Sequence, residues 1–208
     1  MLLNRVEKAL MNNPIRAAIQ RRFEVPRLLD MGGKMAGGTA LEIGCGRGVG
    51  TELILEKCGA DRVDAFDLDP HMVTLAKQRV ARFGERARLS VGDAEKMTAA
   101  DDTYDAVFDF GIIHHIPNWR AAVREVHRVL KPGGRFYAEE VLAKFIHHPV
   151  WSRLLEHPKQ DRFDRPTFAR ALDEAGFDVI ETRELWGQYA WFVADKRYGD
   201  DHSAHDVR

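Results

Sequence analysis

The chain has 208 residues, of which 45% are hydrophobic and 30% are charged, and its 31 Lys and Arg nearly balance 32 Asp and Glu to leave a net charge of −1. This length predicts one sizeable domain with appendages, and the balanced charge argues against nucleic acid as a partner because it provides no positive field for a phosphate backbone. No apolar run approaches the roughly 20 residues that cross a bilayer, so we expect no stable membrane insertion.

Residues 1–38 are predicted to form a helical extension before the main domain. The helical pattern is broken at Asn13-Pro14, where Asn13 can cap and Pro14 can begin a second helix. Ile15, Ile19 and Phe23 mark an apolar face of this second helix, among several arginines. A basic amphipathic helix of this kind packs on its own domain with solvated arginines, lies on a membrane, or covers an active site as a lid.

The central feature of the sequence is a buried strand that runs directly into glycines. Residues 40–43 form the strand, Gly44, Gly46 and Gly48 follow at alternate positions, and residues 49–58 continue as a helix. Such a turn allows the backbone and the helix amino end to approach a ligand closely. A dinucleotide fingerprint requires Gly-x-Gly-x-x-Gly. Whichever of Gly44, Gly46 and Gly48 is taken as the first glycine, the third glycine of this pattern is missing.

The remaining elements alternate between strands and helices. Strands are predicted at 62–67, 87–91, 105–110, 135–142, 177–185 and 189–196, and helices at 70–83, 119–130 and 167–174. This order predicts an α/β fold with an open, doubly wound, seven-stranded sheet that is mostly parallel and ends in an antiparallel hairpin. Residues 143–166 show no clean period and are predicted to be an insert over the pocket. Residues 198–208 are predicted to be a mobile tail.

Metal and disulfide chemistry are not expected. Cys45 and Cys58 have neither the spacing of a metal site nor that of a disulfide framework, which predicts a reducing, cytoplasmic location. The nine histidines form no His-Glu-x-x-His or mixed Cys/His cluster, so no metal ligands are assigned.

Chemically informative residues follow the predicted strands. Asp67 ends the second strand, where a carboxylate can accept hydrogen bonds from both hydroxyl groups of a ribose. Asp93 follows the third strand, and His114-His115 follow the fourth. Since adjacent residues do not easily share a direction, we expect at most one of the two histidines to face the pocket.

The motif Glu42-x-Gly44-x-Gly46-x-Gly48, together with Asp67, Asp93 and the histidine pair before Pro117, resembles the class I S-adenosylmethionine-dependent methyltransferases. The histidine pair is similar to their small-molecule branch, including the ubiquinone/menaquinone methyltransferases. The resemblance implies a Rossmann-like methyltransferase domain over residues 39–197, with a substrate-side insert at 143–166. For the helical extension of residues 1–38, packing on the domain is favoured over a membrane contact or a lid. It implies S-adenosyl-L-methionine as cofactor, S-adenosyl-L-homocysteine as product, and cofactor contacts from Glu42, Gly44, Cys45, Gly46, Gly48, Asp67, Leu68, Met72, Asp93, Ala94 and Phe110.

The predicted reaction is in-line transfer of a methyl group to a small-molecule or lipid-like acceptor. Such a displacement depends on positioning and on exclusion of water, and it needs a base only when the acceptor carries a proton. By resemblance His115 is expected to be a pocket residue that touches the cofactor or the substrate, and its position after the fourth strand makes it a candidate base. Glu140, or its neighbour Glu139, ends the fifth strand and is the candidate on the substrate side. For these glutamates, pairing with an arginine of the following loop is the alternative. A noncatalytic module that binds S-adenosylmethionine or S-adenosylhomocysteine is the alternative function, and the oligomeric state is left open.

Overall fold

The computed structural model describes residues 13–146 and 161–199. The predicted helix in residues 1–12, most of the insert and nearly all of the predicted tail lie outside these residues. The helical extension follows the prediction where it is described: α1 spans Pro14–Ile19, a π-helical turn spans Gln20–Glu24, and α2 spans Val25–Gly32. Asn13 caps α1, because its side chain accepts a hydrogen bond from the Arg16 amide at 2.9 Å.

The seven predicted strands form one sheet. Its strands are β1 (Thr39–Ile43), β2 (Arg62–Asp67), β3 (Ala87–Val91), β4 (Tyr104–Phe110), β5 (Leu130–Val141), β6 (Phe177–Leu185) and β7 (Tyr189–Lys196). They are arranged in the order β3-β2-β1-β4-β5-β7-β6. In this sheet β7 runs antiparallel to the other six strands, and it pairs with both β5 and β6. The predicted α/β fold class is therefore confirmed, and β7 lies inside the sheet while β6 forms its edge.

The connecting helices agree with the predicted pattern to within a few residues. They are α3 (Val49–Leu53, continued by π-helical Ile54–Cys58), α4 (Pro70–Val80, continued by 3₁₀-helical Ala81–Arg86), α5 (Trp119–Val129), α6 (Ala143–Ile146) and α7 (Arg165–Glu174). Helix α7 begins two residues earlier than predicted, because the Asp164 carboxylate caps it by accepting from the Thr167 amide at 2.9 Å. Among the described helices none is long and apolar enough to cross a membrane.

Helices cover both faces of the sheet, and side chains alternate between two hydrophobic cores. On β1, Leu41 and Ile43 pack with α5 and α7, whereas Ala40 packs with α2 and α3 on the other face. The same alternation separates Glu139 from Glu140 at the end of β5. Consecutive carboxylates at one strand end therefore lie in different layers of the molecule.

Candidate active site

A cavity of ≈ 670 Å³ lies beside the carboxyl ends of β1, β2 and β4, which is a usual volume for a small-molecule site. One wall comes from α1 and the π-helical turn, and the opposite wall comes from the glycine turn after β1. Of the predicted site residues, the following line the cavity: Glu42, Gly44, Cys45, Gly46, Asp67, Leu68, Met72, Asp93, Ala94, Phe110 and His115.

The glycine turn is held in a conformation that other residues rarely adopt. Gly44 and Gly46 have φ angles of +68° and +51°, and a side chain at Gly44 would overlap that of Ile112. Gly48 also has a positive φ, of +80°, but it is not part of the cavity wall. It instead lets α3 approach α4, because a Cβ there would lie 3.1 Å from Ala76. The predicted contact of Gly48 with the cofactor stays a prediction.

Glu42 is the most deeply buried carboxyl group in the cavity wall, with 2% of its surface exposed. It accepts a hydrogen bond from the Thr51 hydroxyl, and Gly50 packs so closely on it that a methyl group at Gly50 would overlap its carboxyl oxygen. Burial raises the pKa of Glu42 to about 8, because the hydrogen bond from Thr51 only partly offsets the lost hydration and the negative charge of Asp67 adds to the shift.

Asp67 and Asp93 organise the backbone around the cavity. Asp67 accepts from the Gly46 amide at 2.8 Å and from the Asp69 amide at 2.9 Å, so it ties the glycine turn to the end of β2. Asp93 accepts from the Glu95 amide at 2.9 Å and closes the turn after β3. Together with Glu42, these carboxylates place one acidic group at the end of each of three adjacent strands, around a single cavity.

The two histidines after β4 point in different directions. His115 lies in the cavity wall, whereas His114 is buried and its Nδ1 lies 2.6 Å from Glu140 Oε2. Glu140 itself is fully buried beneath this turn and does not reach the cavity, which corrects its predicted place on the substrate side. Glu139 lies on the opposite face of the sheet and forms an ion pair with an arginine, as in the alternative stated for these glutamates. The partner is Arg16 of α1, at 3.4 Å, and not an arginine of the loop after β5.

Part of the cavity wall comes from residues of the N-terminal helix that no sequence motif marks. Arg16, Ala17, Gln20 and Arg21 line one wall. No motif spacing marks these positions, and the only signal available was the pair of small alanines at 17 and 18 among longer side chains. Arg16 also forms an ion pair with Glu24, so it links α1 to the π-helical turn and to β5.

A second group of residues missed by the sequence analysis is apolar. Phe66, Ile112 and Ile116 line the cavity beside the predicted Met72 and Phe110. These side chains lie in the hydrophobic positions of strands and turns, where sequence alone does not distinguish core packing from contact with a ligand. Within residues 13–146 and 161–199, no group of three His, Cys, Asp or Glu side chains is arranged to hold a metal ion.

Comparisons with known proteins agree with this architecture. Residues 40–134 match the protein family described as a methyltransferase domain. The chain is 29% identical over 179 residues to the demethylmenaquinone methyltransferase of Staphylococcus epidermidis, covering 74% of this chain and 73% of that protein. It is 28% identical over 162 residues to the methyltransferase GfsG of Streptomyces halstedii, covering 72% of this chain and 56% of the relative. It is also 36% identical over 104 residues, 49% of this chain, to the human mitochondrial 2-methoxy-6-polyprenyl-1,4-benzoquinol methylase, and the match spans 31% of that protein.

Solved structures share the fold at lower sequence identity. An S-adenosylmethionine-dependent methyltransferase from Aquifex aeolicus superposes with a TM-score of 0.70 at 19% identity, covering 91% of this chain and 96% of the other. A second such methyltransferase, from Mesorhizobium loti, gives a TM-score of 0.70 at 18% identity, covering 83% of this chain and 97% of the other. Residues 40–134 are therefore similar to a methyltransferase domain, and the chain shares the fold of these solved S-adenosylmethionine-dependent methyltransferases.

Proposed function

We propose that this protein transfers a methyl group from S-adenosylmethionine to a small-molecule or lipid-like acceptor. The observation that carries the proposal is the set of carboxylates at three adjacent strand ends, Glu42, Asp67 and Asp93, around one cavity behind a glycine turn. S-adenosylmethionine carries an ammonium and a sulfonium group, a ribose diol and an amino group on its adenine ring. Each of these is a cation or a hydrogen-bond donor that a carboxylate favours.

The residues present fit this cofactor. Glu42 is a buried carboxyl whose pKa stays raised although Thr51 donates to it, and it would gain from a nearby cation. Asp67 would accept from the ribose diol, while Asp93 would accept from the adenine amino group and the Ala94 amide would meet the ring. Leu68, Met72 and Phe110, with Phe66, would provide apolar contacts, and Gly44, Cys45 and Gly46 would bring backbone close to the ligand.

The cofactor supplies a methyl group made electrophilic by the sulfonium sulfur. The protein must then position an acceptor and exclude water. Helix α1 is suited to exclude water, because its inner face lines the cavity and Arg16 ties it to Glu139. His115 lines the same cavity, and it would take the proton of an acceptor that is protonated at neutral pH. We therefore propose the helical extension as a lid and His115 as the candidate base.

The acceptor class is supported by the relatives and by the lid helix. Two of the relatives are named for demethylmenaquinone and for a polyprenyl benzoquinol, and the chain spans 31–73% of the length of the relatives compared. On the outer side of the helix, Ile15, Ile19 and Phe23 are exposed apolar side chains. A hydrophobic acceptor is consistent with both observations. We further propose a reducing, cytoplasmic setting, because Cys45 and Cys58 are buried free thiols.

Two experiments test the proposal. Isothermal titration calorimetry should detect binding of S-adenosylmethionine and S-adenosylhomocysteine but not of NAD, and equal binding of NAD would contradict the assignment. A turnover screen with quinol, phenol, amine, thiol and phospholipid acceptors then separates an enzyme from a noncatalytic cofactor-binding module. Binding without turnover of any acceptor in the screen would favour the module.

A further inference from the structure

Two carboxyl groups are buried together beneath the turn that carries the histidines. Asp109 and Glu140 have no exposed surface and lie on the adjacent strands β4 and β5. The strand register pairs Asp109 with Ala138, so Asp109 and Glu140 are diagonal neighbours on the same face of the sheet. Two adjacent carboxylates cannot both be ionised at low cost in such a site, so one of them keeps a proton.

The surrounding hydrogen bonds indicate which carboxyl is the anion. Glu140 accepts from the Ile113 amide at 2.8 Å and from the His114 amide at 3.2 Å, and its Oε2 lies 2.6 Å from His114 Nδ1. Asp109 accepts from the Ile112 amide at 2.8 Å, and the Gly111 amide also lowers its pKa. Its Oδ2 has no hydrogen-bond donor among the described residues, and the carboxyl contacts Glu140. A proton on Asp109 would satisfy this contact by donating to Glu140.

The electrostatics agree with this arrangement. Burial and the negative charge of Glu140 raise the pKa of Asp109 well above its ordinary value. Burial also raises the pKa of Glu140, to about 7, although donors from Asp109 and the turn amides oppose the shift. The cation that faces this group is Arg162, in the segment before α7, which donates to the His114 carbonyl oxygen at 2.6 Å.

The acid pair is connected to the cavity through the two imidazole rings. An anionic Glu140 requires a proton on His114 Nδ1, which fixes the tautomer of that ring. The His114 ring stacks on the His115 ring, with centroids 4.1 Å apart and planes inclined by 39°. Because His115 lines the cavity, whatever orients His114 also limits the orientation of His115.

We propose that Asp109, Glu140 and His114 are positioning residues, in which a neutral Asp109 donates to the Glu140 anion, Glu140 fixes the Nδ1–H tautomer of His114, and His114 holds His115 in the cavity wall. The role of His115 in the reaction rests on the proposed function. The proton arrangement is a property of the folded chain and can be tested without turnover.

The first measurement is made on the unmodified protein. Long-range ¹H–¹⁵N correlation spectra of ¹⁵N-histidine-labelled protein report the tautomer of each ring, and the His114 signals are assigned by their loss in His114→Gln. We expect the Nδ1–H tautomer, or a ring protonated on both nitrogens, for His114. A neutral ring with its proton on Nε2 alone would overturn the proposal even if the protein binds S-adenosylmethionine.

Matched variants test the position of the shared proton. Asp109→Asn replaces a protonated carboxyl by an amide that still donates to Glu140, so we expect an unchanged His114 tautomer and kcat within about threefold of the parent for an acceptor found in the screen. Asp109→Ala removes the donor, and Glu140→Gln turns a donor toward His114, so both should change the His114 signals and lower kcat by about tenfold or more. The Kd for S-adenosylmethionine should change little, because neither residue lines the cavity.

Two results would refute the shared proton. If Asp109→Asn is as impaired as Asp109→Ala, Asp109 is ionised and not a donor. If Glu140→Gln keeps the parent tautomer, Glu140 does not fix it. If Glu140→Gln does not fold, its thermal unfolding transition is lost. The His114 tautomer in the parent and in Asp109→Asn then tests the proposal. Failure of the parent to bind S-adenosylmethionine would count against the proposed function alone.

Discussion

Glu42→Gln should remove a strong pH dependence from cofactor binding. In the free protein Glu42 has a pKa of about 8, so near neutral pH it is largely protonated. A cationic ligand favours its carboxylate form, so binding should release a proton. If only the ionised form binds, the competent fraction rises from about 1% at pH 6.0 to about 24% at pH 7.5. The Kd for S-adenosylmethionine should therefore fall about 25-fold over this range.

Calorimetric titrations at several pH values, each in two buffers with different ionisation enthalpies, measure both the Kd and the number of protons released. The α-amino group of the ligand stays largely protonated below pH 7.5, so the dependence reports the protein. Glu42→Gln should bind with a nearly flat profile. Glu95→Gln is the matched control, because Glu95 also lines the cavity, and it should keep the slope. Histidine titrates in this range as well, so His115→Asn should also keep the slope if Glu42 is responsible.

The proton that Glu42 holds in the folded state also makes the free energy of unfolding depend on pH. Because the folded pKa of Glu42, about 8, exceeds its ordinary value of 4.5, the folded state holds more protons than the unfolded state between these values. The contribution of this group to the free energy of unfolding is complete below pH 4.5 and is lost as the pH rises toward 8. A parent protein whose cofactor affinity does not vary between pH 6.0 and 7.5, or a Glu42→Gln variant with the parent profile, would refute this reasoning.

Further variants test the remaining features of the site. Gly50→Ala would place a methyl group against the Glu42 carboxyl, so it should lower the thermal midpoint and abolish measurable cofactor binding in the same calorimetric assay. Asp67→Ala should raise the Kd for S-adenosylmethionine by about 10- to 150-fold, since a charged hydrogen bond contributes about 1.5–3 kcal/mol. An unchanged Kd would remove Asp67 from the binding site. Arg16→Ala removes the cation that faces the buried Glu139, so urea unfolding should show a loss of about 1–3 kcal/mol. The loss should shrink as the pH falls, because a protonated Glu139 no longer needs the cation. An equal loss at all pH values would contradict that assignment.

The fold was predictable because local patterns determine its elements. Strands 62–67, 87–91, 177–185 and 189–196 have the predicted bounds, since hydrophobic alternation ends at turn residues at each of these places. The position of β7 between β5 and β6 was not predictable in the same way. Strand order depends on pairing between residues far apart in sequence, which no local period records.

The site was predictable where a motif dictates backbone geometry, and less so elsewhere. Positive φ angles at Gly44 and Gly46 follow from the requirement for residues without side chains, and both glycines line the cavity. Gly48 meets the same backbone requirement, yet packing between α3 and α4 explains it. Glu140 was misplaced because sequence does not show which face of β5 meets the cavity. Arg16 was missed as a cavity residue because its partners, Glu24 and Glu139, lie in two different parts of the chain.

The buried carboxyl groups at the strand ends differ in what compensates their burial, and this difference separates their roles. Glu139 faces the guanidinium of Arg16, which links the N-terminal helix to the sheet, while burial and the nearby Glu24 raise the pKa of Glu139 well above its ordinary value. Glu140 accepts from two backbone amides and lies against His114, so its charge is stabilised within the turn. Glu42 has a hydroxyl donor in its described hydrogen bonds and keeps a raised pKa in the cavity wall. Of these three carboxyls, Glu42 is the one that lines the cavity. A cationic ligand in the cavity would lie nearest to Glu42 and would favour its ionised form. The charge of Glu42, more than that of either glutamate on β5, should therefore respond to binding of the cofactor.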